Sequence, residues 1–161
     1  MCLTRISRSA RETQRLGEHL GARLRGGEVI FLRGDLGVGK TQFAQGLGRG
    51  LEVGPVLVSP TFMLAVQYEG RLPLVHYDLY RVETQAELDE IGFLETDDAK
   101  TVAIVEWGDR TDVPPDAICI DLERTEDDAR TIRISGARHR GLLDTIESMD
   151  ADDGCRKGGG S

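Results

Sequence analysis

Apolar residues in this chain come in short, dense runs separated by glycine, proline and charge. Glu28-Val29-Ile30-Phe31-Leu32 and Thr101-Val102-Ala103-Ile104-Val105-Glu106 are nearly continuous, the pattern of strands buried on both faces. Ala117 to Leu122 and Ala129 to Ser135 alternate apolar and polar around Glu126-Asp127-Asp128, which predicts two more strands. Met63 to Tyr68 and Pro73 to Asp78, joined through Glu69-Gly70, predict an antiparallel hairpin. Helical spacing takes over elsewhere. Ser9-Ala10-Arg11-Glu12 has the capping-box form and opens a helix with Leu16, Leu20 and Leu24 on one stripe, ended by Gly26-Gly27. Phe43, Leu47 and Leu51 mark a second helix. Thr84-Gln85-Ala86-Glu87 caps a short third helix through Leu88 and Ile91 that stops at Gly92, and Gly141 to Ser148 is weakly helical. Strands alternating with helices predict an α/β domain over residues 1–149. Residues 150–161 have too little apolar content to pack and are expected to be a disordered tail.

Between the first apolar run and the second helix lies Gly34-Asp35-Leu36-Gly37-Val38-Gly39-Lys40-Thr41, which fits G-x-x-x-x-G-K-[ST]. Strand, glycine-rich loop and helix is the order this phosphate-binding motif requires. Gly34, Gly37 and Gly39 let backbone N–H groups close on phosphate oxygens. Lys40 supplies a point charge for the β- and γ-phosphates, and the Thr41 hydroxyl can ligate Mg²⁺. A helix starting near Lys40 aims its unpaired N–H groups at the same phosphates. The chain has three lysines, Lys40, Lys100 and Lys157, against seventeen arginines, so a lysine at position 40 points to a positional demand.

Charge and cysteine bound the remaining possibilities. Net charge is −8, which argues against an independent nucleic-acid binder and so against DNA as a partner. Residues 1–33 nevertheless carry seven arginines against three glutamates, either a solvated helix face or a docking surface. No run of eighteen apolar residues is present, so no membrane span is expected. Three scattered cysteines without metal spacing, and no visible secretory signal, fit a reducing cytoplasm.

A phosphate loop needs a carboxylate on a neighbouring strand to hold Mg²⁺ through water or to polarise the attacking water. Glu106 closes an apolar strand, where such a group sits; the alternative is a glutamate that opens a loop. Asp78 ends another apolar run within His76-Tyr77-Asp78-Leu79-Tyr80-Arg81 and is either a turn residue or part of the site. Trp107, the only tryptophan, either packs in the core or lies against the nucleotide. Thr61, after Ser59-Pro60, is either ordinary turn chemistry or a switch that senses the γ-phosphate. The chain has no asparagine, so the Asn-Lys-x-Asp guanine reader is absent and ATP is favoured over GTP.

Taken together, Gly34 to Thr41, Ser59-Pro60-Thr61-Phe62, His76 to Arg81 and Val105-Glu106-Trp107 resemble the TsaE (YjeE) family, from about Ser9 to Ile134. These are small bacterial P-loop ATPases required for threonylcarbamoyladenosine modification of tRNA. The resemblance implies a P-loop NTPase-like, three-layer α/β/α fold whose sheet is mostly parallel with antiparallel additions. It implies ATP and Mg²⁺ as cofactors and TsaD and TsaB as partners, with tRNA met only through that complex. ATP hydrolysis would reset the TsaD–TsaB pair between turnovers. Carried over by position, Thr41 and Glu106 serve Mg²⁺, Gly37 to Gln42 cradle the phosphates, Asp78 and Lys40 act in hydrolysis, and Thr61 is switch-like. Trp107 lies near the nucleotide, Arg130 approaches it, and the helix near Ala10 and Thr13 borders the base. Val38 replaces the usual alanine and is expected to be tolerated while narrowing the pocket.

Two other functions stand beside a partner-driven ATPase. One is a small P-loop kinase with Asp78 as base toward an acceptor hydroxyl. The other is a nucleotide-gated binding module in which Glu106 only ligates Mg²⁺.

Overall fold

A computed structural model describes residues 2–35, 37–54, 57, 64–95, 99–107, 111–136 and 139–156. Seven strands form one mixed sheet: β1 (Cys2–Ser7), β2 (Val29–Arg33), β3 (Ala65–Tyr68), β4 (Leu74–Asp78), β5 (Val102–Glu106), β6 (Ile118–Arg124) and β7 (Arg130–Ser135). Four helices, α1 (Ala10–Gly21), α2 (Lys40–Gly50), α3 (Gln85–Glu90) and α4 (Arg140–Arg156), complete the described chain. The spatial order is β1-β7-β6-β2-β5-β4-β3. The central strands β6, β2, β5 and β4 are parallel to one another, while β3, β7 and β1 add antiparallel pairs at the two flanks.

The hydrophobic runs explain this order. All five residues of β4 and of β5 are buried, as parallel strands covered on both faces must be. Alternate side chains feed two cores. Ile30, Leu32, Val102 and Ile104 face α1, α2 and α4, where they meet Leu20, Phe43, Leu47 and Leu143. Phe31, Ala103 and Val105 face the other way, toward Leu88 of α3 and the segment carrying Ile91 and Phe93. The sheet is therefore the middle of three layers, thinner on the α3 side. The fold is P-loop NTPase-like, as the sequence predicts.

Helix starts follow the predicted chemistry. The Ser9 hydroxyl accepts from the Glu12 N–H at 3.1 Å, and the Glu12 carboxylate accepts from the Arg8 N–H at 2.6 Å. The Thr84 hydroxyl accepts from the Glu87 N–H at 3.3 Å. Two boundaries differ from expectation. β1 is a strand the sequence pattern did not predict, and α4 continues beyond Ser148 to Arg156. β1 lies on the sheet edge, where the Arg5 guanidinium donates to the Thr4 carbonyl at 3.0 Å; a charged side chain there discourages further strand pairing.

α1 and α2 pack together through glycine. A methyl group on Gly21 would come within 2.5 Å of the Leu47 carbonyl oxygen, and one on Gly46 would overlap the carbonyl of Gln14. The missing side chains let the two backbones touch. The Gln14 amide then bridges the pair, donating to Gln45 Oε1 at 3.2 Å and to Gln42 Oε1, while Arg49 donates to Gln14 Oε1 at 3.1 Å.

Candidate nucleotide site

The site is built at the carboxyl ends of the parallel strands, where open α/β sheets place their ligands. The chain leaves β2 at Arg33, turns through the glycine-rich loop and enters α2 at Lys40. Gly34, Gly37 and Gly39 have φ of 150°, 78° and 111°, values that L side chains rarely adopt. A Cβ at Gly34 would also stand 2.6 Å from the Leu122 carbonyl oxygen. Gly39 is the N-cap of α2 and supplies no side-chain acceptor, so the helix presents its first N–H groups to the loop. This cradle has the form and polarity that phosphate oxygens require. Thr41 is exposed, one residue into the helix, where its hydroxyl fits a metal that also takes phosphate oxygens. The Gln42 side chain is turned to Gln14, leaving its backbone as the part directed at the loop.

The Val38 side chain is 4% exposed and belongs to the core beneath the loop, with Cγ1 2.7 Å from where a Gly34 Cβ would stand, and Val38 also lines a cleft beside the loop. From across the sheet, the Arg130 guanidinium donates through Nε to the Val38 carbonyl at 2.9 Å and through Nη1 to the Asp128 carbonyl at 3.0 Å. Arg130 thus pins the loop backbone. Its strand partner Ser7 bonds Thr13 Oγ1 at 2.7 Å, and Thr13 is 2% exposed. Thr13 braces the β1–α1 corner, whereas Ala10 is exposed at the start of α1.

The two candidate carboxylates meet. Asp78 and Glu106 are the last residues of β4 and β5 and are directly paired in the parallel register, and Glu106 is paired in turn with Leu32 of β2. Both are at least 96% buried, at 4% and 3% exposure. Asp78 Oδ1 accepts from the Tyr80 N–H at 3.0 Å, an Asx turn that starts the next loop. It is a turn residue that also stands beside Glu106 in the sheet. The Glu106 carbonyl accepts from the Leu79 N–H at 3.1 Å, so the two strand ends are tied together. Glu106 Oε2 is 2.9 Å from His76 Nε2, a contact that the sequence reading did not assign.

Trp107 follows Glu106 in a left-handed conformation, φ 59°, which is strained for a bulky residue. The turn lays its indole under Lys40, whose Nζ is 3.5 Å from the ring centroid. Tyr80 packs against the same indole, centroids 4.8 Å apart. Trp107 therefore joins Lys40 and Tyr80 to the edge of the second core. A cleft of about 650 Å³ opens on the other side of the loop, lined by Arg33, Gly34, Asp35, Asp121 and Leu122. There Arg33 and Asp121 form a two-point ion pair at 2.7 and 2.9 Å. Hydrogen bonding to Asp121 raises the Arg33 pKa further, against partial desolvation. Thr61 lies outside the described residues.

Comparison with known proteins settles the family. The model for "Threonylcarbamoyl adenosine biosynthesis protein TsaE" matches residues 7–132. The chain belongs to the TsaE family. Its relative from Treponema pallidum, a tRNA threonylcarbamoyladenosine biosynthesis protein TsaE, is 38% identical over 132 residues, 81% of this chain and 98% of the relative. The Bacillus subtilis TsaE is 35% identical over 144 residues, 86% and 90% of the two chains. The crystal structure of Bacillus subtilis YdiB superposes with a TM-score of 0.77 at 29% identity, covering 93% of this chain and 97% of that one. As a TsaE-family member the chain is assigned to tRNA threonylcarbamoyladenosine biosynthesis. Among its described residues no helix is long and apolar enough to cross a membrane.

Proposed function

We propose that this TsaE-family chain is a Mg²⁺-dependent ATPase of the threonylcarbamoyladenosine machinery, acting in the cytoplasm on a TsaD–TsaB pair to sustain its turnover. The observation that carries the reading is the in-register pairing of Asp78 with Glu106 beside the glycine-rich loop. A cradle of N–H groups and a buried lysine account for phosphate binding. Binding alone does not require two buried carboxylates on adjacent strands, whose desolvation is costly. Hydrolysis does, because one group must hold the metal and a group must orient water.

In this scheme Gly37, Gly39 and the backbone of Val38 to Gln42 hold the phosphates, with Lys40 neutralising the charge that develops on them. Thr41 and Glu106 serve Mg²⁺, which supplies Lewis-acid stabilisation of the phosphates when bound. Asp78 orients the attacking water, and Trp107 and Tyr80 wall the site on the Lys40 side. Arg130 holds the loop in its binding shape. The acidic surface of the chain leaves tRNA to TsaD and TsaB.

Substitution separates binding from chemistry. Glu106→Ala should lower ATP turnover by about 100-fold, the scale of losing electrostatic stabilisation of the transition state, here through the metal that Glu106 serves, with nucleotide affinity changed by only a few-fold. Rapid-quench turnover and nucleotide titration of the same preparation measure the two effects. Equal turnover in wild type and variant would make Glu106 structural, whereas turnover near zero even with the TsaD–TsaB pair present would favour a gating module. Transfer of the γ-phosphate to an acceptor other than water would favour a kinase.

A further inference from the structure

His76 lies in the middle of β4, two residues before Asp78 and opposite Ile104 of β5. It is 1% exposed, surrounded by the β-sheet and the larger core. Its two ring nitrogens have different fates. Nε2 is 2.9 Å from Glu106 Oε2, and Nδ1 is buried with no hydrogen-bond partner among the described residues. An interior position whose only task is packing is better filled by leucine, which leaves no polar atom unsatisfied. The orphan nitrogen also selects the tautomer. If Nδ1 carried a proton, a buried N–H would be stranded, and orphaned donors are the rarer defect. The proton therefore sits on Nε2 and is donated to Glu106, while Nδ1 keeps only a lone pair.

We propose that His76 is the positioning residue of Glu106, fixing that carboxylate for the metal and water at the glycine-rich loop. The inference rests on the function proposed above and adds a residue to it. Glutamate has three side-chain torsions, and a buried donor on one oxygen removes most of that freedom before ligand arrives. The neighbouring carboxylate of Asp78 is on a shorter side chain and accepts from the Tyr80 N–H. The Leu79 N–H fixes the Glu106 backbone, so His76 completes the anchoring by fixing the side chain.

The test compares His76→Leu, which keeps bulk and loses the donor, with His76→Gln, whose amide N–H can replace Nε2–H. Nucleotide binding is read from the fluorescence of Trp107, the only tryptophan and in contact with Lys40. ADP is held constant while Mg²⁺ is titrated, so the readout does not depend on turnover. His76→Leu should raise the half-saturating Mg²⁺ concentration about tenfold, the usual scale for losing the partner of a metal-binding group, and His76→Gln should recover most of that loss. With the TsaD–TsaB pair added, the same ranking should appear in kcat with little change in KM for ATP. Thermal melts of both variants identify the folded fraction. Wild-type Mg²⁺ dependence in His76→Leu, or equal impairment of Leu and Gln variants that melt alike, would overturn the proposal. Glu106→Ala separates the layers. If it shifts the Mg²⁺ titration and His76→Leu does not, the positioning role fails alone; if Glu106→Ala has neither a Mg²⁺ nor a turnover effect, the underlying function has failed.

Discussion

Lys40 sits where its charge is hard to replace, buried at the first turn of α2 with its ammonium over the Trp107 ring. Phosphate would meet that ammonium in a site largely closed to water, where a charged hydrogen bond contributes about 1.5–3 kcal/mol. Lys40→Ala should therefore weaken nucleotide binding by roughly tenfold to a hundredfold. Titration calorimetry checks this, and unchanged affinity would remove Lys40 from the site. The glycines, Lys40 and the strand-ending carboxylates were legible from sequence because each is tied to its neighbours along the chain. What was not legible depends on neighbours across the sheet. Val38 reads as a residue beside the phosphates, yet the turn at Gly34 directs it inward. His76 reads as a strand residue clustered with Asp78, Tyr80 and Arg81, and only the parallel register with β5 brings it to Glu106. Trp107 reads as either core packing or a neighbour of the nucleotide, and its left-handed backbone sets the indole at the edge of the second core and against Lys40.

At the scale of elements, the loop is held from both sides. α2 is fixed against α1 by glycine-to-backbone contacts, and β7 reaches back through Arg130. Gly46→Ala should destabilise the fold by about 1–3 kcal/mol, because the new methyl must push apart two helices that already touch. Chemical denaturation measures the loss; a variant as stable as wild type would contradict the close-packed crossing. Arg130→Ala should leave the fold intact but lower nucleotide affinity about fivefold, since about 1 kcal/mol of loop organisation is lost with one hydrogen bond. The capped helices and the two continuous apolar strands were predictable because local chemistry specifies them. β1 was not, because Leu3 alone among its large apolar residues is buried, Ile6 is 59% exposed, and arginines interrupt the alternation. Pairing with β7, distant in sequence, makes it a strand.

For the molecule as a whole, the sheet and its two cores hold three strand ends nearly level. β4 and β5 end in register, β2 ends one residue further on while β6 runs on to Arg124, and the loop, Lys40, Glu106 and Asp78 gather at that rim. Charge is divided along the chain in the same way. The arginine-rich first 33 residues form β1, α1 and β2, and the remainder is strongly acidic. Arg8 and Arg11 are exposed near the start of α1. The family match fixes the process in which the chain works, and the rim of carboxylates gives the reason to propose hydrolysis within it. The most direct test is ATP turnover with Mg²⁺ by the full chain, alone and with the cognate TsaD–TsaB pair. A clear rise on adding the pair, abolished by Glu106→Ala, is the predicted result. Tight ATP binding with no rise in turnover would contradict a partner-driven ATPase.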